Sequence, residues 1–176
     1  MFEVIVRSKT RLNLLIKFFL FDEIQGYMSG MQREFNESTN SIRTELKRLA
    51  HAGLLSSKLT GRIRFYKANP RHPLHDDLQS IVRKTVGIDK IEYVIINHTA
   101  HLDAAYLTGS FARGINSNTI ELALVGNDLD KVQIERLVER TEKMTNKKIV
   151  CFTFTGKEAK YLLKDKSTQL IWKKED

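Results

Sequence analysis

Asn36–Ala68, NESTNSIRTELKRLAHAGLLSSKLTGRIRFYKA, decides how the rest of the chain is read. Ser38 is placed to cap a helix, its hydroxyl accepting from an N–H of the first turn. Behind it Ile42, Leu46 and Leu49 recur at spacings of four and three, the buried stripe of an amphipathic helix. Asn40, Arg43, Thr44 and Lys47 fall on the opposite side. Gly53 is a stop signal, and Arg48 and His51 sit near the C-terminal end, where cations suit the helix dipole. Leu55–Leu59 and Arg62–Lys67 then alternate apolar and polar across Thr60-Gly61, which predicts a short hairpin. Its solvent face is expected to carry Lys58, Arg62 and Arg64. The stretch therefore reads as a helix with a polar and basic outer face, followed by a basic ribbon.

Upstream, Phe2–Val6 is β-prone and short enough for an arm or edge strand. Ser8 heads a helix to Phe21 whose apolar face (Leu12, Leu15, Ile16, Phe19, Leu20) is wide enough for a core and a dimer contact. Phe21–Gly26 makes a turn, and Tyr27–Phe35 a short helix beginning near Ser29. Downstream, Asn69–Pro73 breaks the chain, and Leu74, Leu78, Ile81 and Val82 mark a further helix ending near Gly87. Past a boundary at 87–90 the reading is a helix over Ile91–His98, then a strand into Thr108-Gly-Ser110. A strand over Thr119–Val125, a helix over Leu129–Met144, a strand over Lys148–Thr155 and a helix from Gly156 to Leu163 follow. Residues 1–86 and 87–176 are thus predicted as two domains, the second a small α/β one.

The 176 residues suffice for two small domains, and 41% apolar with 28% charged content is that of a folded protein. Residues 1–86 hold 15 Lys and Arg against 8 Asp and Glu, a balance of +7; residues 87–176 hold 14 against 13, a balance of +1. Basicity concentrated around the helix and hairpin favours a polyanionic partner, nucleic acid rather than membrane. Apolar runs such as Leu14–Phe21, interrupted by Lys17, are short of a membrane span. The N-terminus lacks the marks of a secretory signal. Cys151 is the single cysteine, which fits a cytoplasmic protein and reads as a small core residue.

On the run SIRTELKRLAHAGLL and its Thr60-Gly61 wing, the first half resembles the arsenical-resistance-repressor (ArsR-like) winged helix-turn-helix regulators. The resemblance implies a homodimer on double-stranded DNA, with residues 38–52 in the major groove and 55–67 as the wing. Asn40, Arg43, Thr44 and Lys47 would reach base edges, Asn suiting adenine and Arg guanine. Ser38, Thr39, Ser41, Lys58, Arg62 and Arg64 would hold phosphates. The same surface could instead serve as a protein-interaction module.

The second half resembles the minimal nucleotidyltransferases, on Leu107-Thr-Gly-Ser-Phe-Ala-Arg-Gly114. In that family the Gly-Ser turn cradles nucleotide phosphates, two Asp on the next strand hold divalent metals, and a later strand adds a third carboxylate. Here Thr119 stands at the first Asp position, Glu121 at the second, and Lys148–Thr155 carries none. The resemblance then implies a catalytically inactive domain without metal or cofactor, acting in regulation or oligomerisation. Gly109, Ser110 and Arg113 would remain as a phosphate site for a nucleotide or another small-molecule effector. An active metal-dependent nucleotidyltransferase is the rival reading. His72-x-x-His75 and His98-x-x-His101 lack the cysteines of a zinc site, and His72 and His75, flanking Pro73-Leu74 at a helix start, are not aligned on a helix face. The overall expectation is an α/β (α+β) chain: a winged helix-turn-helix regulator fused to a nucleotidyltransferase-like domain, and not an enzyme.

Overall fold

A computed structural model describes residues 6–165 and 167–175. Most of the N-terminal stretch expected as an arm lies outside the described residues. The chain divides into two compact units. The first runs to Thr85 and takes in Gly114–Asn116; the second holds Val86–Arg113 and the residues from Ser117 on.

In the first unit, helix α1 (Lys9–Phe19) starts at Ser8, whose Oγ accepts from the Arg11 N–H. Leu12, Leu14, Leu15, Ile16, Phe18 and Phe19 are each 6% exposed or less. The wide apolar face is therefore covered within the chain, and no surplus is left for the dimer contact expected there. Lys17 is buried as well, its ammonium 2.7 Å from Glu34 Oε2. A short strand β1 (Gly26–Tyr27), expected as turn and helix start, leads into α2 (Met28–Phe35). Asn36 stops α2 in the left-handed region. Helix α3 (Thr39–His51) follows, with Ser38 Oγ accepting from the Ser41 N–H at 3.1 Å.

Strands β2 (Leu55–Thr60) and β3 (Ile63–Ala68) form the hairpin, and β1 pairs along β3, giving the order β1-β3-β2. Thr60 pairs with Ile63, so the two-residue turn is Gly61-Arg62, one residue later than the alternation suggested. Gly61 has φ +60°, the conformation glycine supplies at the first position of a type II′ turn. Helix α4 (His75–Val86) closes the unit. Its buried His75 ring lies 5.9 Å from that of Phe19. The first unit thus runs helix, strand, helix, helix, hairpin, helix. Gly114 joins this unit because its backbone runs against α1: a Cβ there would stand 2.7 Å from the Lys17 carbonyl.

The second unit opens with α5 (Ile88–Val94) and a 3₁₀ turn (Ile96–His98), where one longer helix was expected. Strand β4 (Leu102–Thr108), the short α6 (Gly109–Ala112), β5 (Thr119–Gly126), α7 (Lys131–Thr145), β6 (Lys148–Phe154), α8 (Gly156–Asp165) and β7 (Gln169–Lys173) follow. The sheet runs β6-β5-β4-β7. Strands β5 and β6 are parallel with α7 as their crossover, whereas β4 is antiparallel to both β5 and β7. Strand β7, on which Trp172 sits, was not anticipated. Helix α8 begins with a capping box: Thr155 donates its N–H and hydroxyl to Glu158 Oε2, and Thr155 Oγ1 accepts from the Glu158 N–H. These donors hold the exposed Glu158 carboxyl below its ordinary pKa.

Candidate functional site

Along α3, Asn40, Arg43, Thr44 and Lys47 are exposed in one stripe, while Ile42, Glu45, Leu46 and Leu49 are buried on the other side. Ser38 and Ser41 are occupied by the cap: Ser38 Oγ also donates to Ser41 Oγ at 3.0 Å. Thr39 is half-buried.

Glu45 is the residue the sequence did not single out. It lies on the apolar side of α3, yet its carboxylate is paired twice. Arg11 of α1 approaches it as a fork, Nε to Oε2 at 2.8 Å and Nη2 to Oε1 at 3.1 Å. Arg48, one turn on, adds Nη1 to Oε1 at 2.9 Å. The Arg11 hydrogen bonds and the two positive charges hold the Glu45 carboxyl below its ordinary value. The fork ties α3 to α1 and fixes how far the exposed stripe can rotate. Apolar periodicity at Ile42, Leu46 and Leu49 already implied that position 45 faces inward, so a carboxylate there was a visible anomaly.

The hairpin corrects one expectation. Lys58, Arg62 and Arg64 do not share a face. With a two-residue turn, even-numbered positions of β2 pair with odd-numbered positions of β3: Lys58 with Phe65, Leu59 with Arg64. Arg64 therefore shares a face with Leu59 and Ser57, and donates to Ser57 Oγ at 3.1 Å. Lys58 shares the other with Phe65 and Lys67, where the Tyr27 ring stands edge-on to Phe65 at 5.5 Å. Arg62 is in the turn. Leu59 and Ile63 are 60% and 45% exposed, so the tip carries apolar as well as basic groups into solvent.

In the second unit, Gly109 follows β4 with φ +64°. A Cβ there would collide with the carboxylate of Glu121, which reaches across from β5. Gly109 is thus needed for its backbone conformation and for the room it leaves Glu121. Ser110 is half-buried and Arg113 exposed at the rim of the same turn. Thr119, one turn of the pleat before Glu121, donates its N–H to Ser117 Oγ at 3.1 Å. Lys147 donates to the Ser117 carbonyl at 2.8 Å and lies 5.2 Å from the Phe111 ring. The chain thus brings the Gly-Ser turn and one carboxylate together. Among the described residues no three His, Cys, Asp or Glu side chains converge as a metal site. One carboxylate beside the turn is not the donor set of a two-metal centre.

The histidines are engaged separately. His72 Nδ1 accepts from the Leu74 N–H, and His75 lies between Asp76 and Asp22, at 2.9 and 3.1 Å. Burial alone pushes the Cys151 thiol up to about 12, which makes it an inert packing group. No helix among the described residues is long and apolar enough to cross a membrane.

Fold and site together define a mixed α/β chain of two units, one with a three-stranded and one with a four-stranded sheet. No family model matches the chain, and no curated protein matches it. Among solved structures it is similar to a mutant of the toxin–antitoxin MntA–HpeT and to the toxin–antitoxin with AMP-PNP. Each likeness is at 19% identity over 49% of this chain and 73% of that chain, with a TM-score of 0.40. The expectation that this chain is not an enzyme is overturned by that likeness and is not carried further. Thr119 and the carboxylate-free β6 argue against one arrangement of metals, not against every chemistry of the fold.

Proposed function

We propose that the first unit binds duplex DNA and that the chain is a transcription regulator acting as a homodimer on a roughly palindromic operator. The observation that carries this reading is the exposed stripe of Asn40, Arg43, Thr44 and Lys47, held by the half-buried Arg11–Glu45 fork beside an exposed basic hairpin. Asn and Arg on such a stripe can each make two parallel hydrogen bonds to a purine edge. Ser38, Thr39 and Ser41 at the helix start, with Lys58, Arg62 and Arg64 of the hairpin, supply phosphate contacts. Selection of bound fragments from a random DNA pool tests the proposal. Recovery of one repeated half-site supports it; a pool that stays random removes it in favour of a protein-interaction surface.

The hairpin cations carry their own expected outcome. Replacing Arg64 or Lys58 by Ala weakens all sequences alike and makes the slope of log affinity against log salt shallower by about one per cation. A titration at several salt concentrations measures this. A sequence-dependent loss would move these residues from the backbone to the bases.

A second reading concerns the other unit. The positive-φ Gly109 turn with the exposed Arg113 at its rim supports a nucleotide held at Gly109, Ser110 and Arg113, either as effector or as the donor in nucleotidyl transfer. Incubation with labelled nucleotide and Mg²⁺, followed by electrophoresis of chain and added targets, reads transfer directly. Label incorporation that disappears in Glu121→Ala supports the enzymatic form. Saturable binding without incorporation supports the effector form.

A further inference from the structure

Strand β6 is an edge of its sheet, and its backbone shows which groups that edge presents. The Lys148 N–H donates toward β5, to the Asn118 carbonyl at 2.9 Å, whereas the Ile149 N–H turns outward to Glu142 Oε1 at 2.7 Å. Alternation then sends the N–H and C=O of Cys151 and Thr153 outward, with Glu142 closing the Ile149 end. Natural edges are blunted by charge, proline or a bulge. From Ile149 to Phe154 this one carries none of these, and its register on β5 is unbroken. Beside it runs a groove of about 540 Å³ whose other wall is α7. Ile134, Val138, Ile149 and Cys151 give it an apolar lining, and Glu135 and Glu139 stand exposed on the α7 rim. Lys131, at the far end of the rim, has Glu158 of α8 near it. On the opposite face of β6, Phe152 is 42% exposed, its ring stacked on Phe154 at 6.4 Å.

We propose that the β6 edge and this groove form a docking slot for an extended segment of a partner protein, added antiparallel to β6, in which basic and apolar residues alternate. Main-chain bonds to Cys151 and Thr153 hold the segment, and the side chains on either face select it. A residue opposite Cys151 or Thr153 points to the α7 side, where Glu135 and Glu139 call for Lys or Arg. A residue opposite Phe152 points to the other face and packs on its ring, so apolar side chains alternate with the basic ones. The same charges argue against a second copy as the occupant. Pairing β6 with β6 about a two-fold axis normal to the sheet sets the acidic rims of the two α7 helices facing each other. The slot lies wholly within the second unit and rests on neither the DNA nor the nucleotide reading.

Fluorescence anisotropy with the full chain and a fluorescein-labelled hexapeptide of alternating Lys and Val tests the slot. Saturable binding is expected, weakened by about tenfold or more when Glu135→Lys and Glu139→Lys are combined. Both residues are exposed, so the thermal midpoint should hold. N-methylation of the Lys amides, which face β6, is expected to abolish binding, while N-methylation of the Val amides, which face away, leaves it intact. Absence of saturable binding, or indifference to the paired charge reversal, overturns the slot. Equal loss from both methylation patterns overturns strand addition. A chain that sediments as a dimer and becomes monomeric on Thr153→Pro, which removes one outward N–H, gives the edge to a second copy and overturns the proposal.

Discussion

Glu45→Ala is expected to destabilise the first unit by about 3 kcal/mol, the lower end of what breaking a buried ion pair costs. Glu45 is 7% exposed and holds Arg11 by two hydrogen bonds and Arg48 by one. Its removal leaves a void on the apolar side of α3 and strips Arg11 of its partner. Arg11 is 39% exposed and can turn to water, which keeps the cost from rising further. For a unit of this size the melting midpoint should fall by on the order of 10 °C, readable by circular dichroism. The effect has a pH signature. The folded carboxyl titrates below its ordinary 4.5, so its stabilisation is complete above that value and is lost as pH falls through the depressed folded one. Wild type and Glu45→Ala should therefore differ fully at neutral pH and converge in acid. A difference that stays constant with pH would mean that the void, not the charge, carries the cost.

Arg43→Ala should reduce affinity for the selected operator by about 1–3 kcal/mol, roughly 5- to 150-fold, while leaving binding to unrelated DNA nearly unchanged. Arg43 sits mid-stripe on α3, one turn after the cap, with its side chain exposed and opposite the buried fork. The readout that separates base from phosphate contact is specificity: losing a bidentate base contact relaxes preference at one position, which a repeated selection with the variant would show. Equal loss on every sequence would reassign Arg43 to the backbone. Arg43→Lys should rescue little, since an ammonium cannot reproduce the planar fork.

The elements with their own periodicity were legible before the structure. The 3.6-residue spacing of Ile42, Leu46 and Leu49, the Ser38 cap and the Gly61 turn placed α3 and the hairpin to within a residue or two. What escaped was set by pairing rather than by pattern. Strand β1 has two residues and exists only because β3 offers it an edge; β7 likewise depends on β4. The wing faces were misread because alternation was carried through a turn as though the chain were straight, and the one-residue difference in the turn decides which side Lys58 occupies. At the Gly-Ser turn the motif was visible, but Gly109 under Glu121 is a contact between residues 12 apart, visible only once β4 and β5 are paired. The α1 face was misassigned for a related reason. Its width reflects how completely the first unit wraps it, which composition does not report.

The hairpin with Arg64 on one side and Lys58 with Lys67 on the other has a consequence for how it meets a polyanion. A ribbon charged on a single side lies flat along one strand of phosphates. One charged on both does better standing on edge, like a blade between two walls, with each side neutralising a different strand. The exposed Leu59 and Ile63 near the tip divide in the same way, Leu59 on the side of Arg64 and Ile63 on the side of Lys58, so each side presents an apolar group beside its charge.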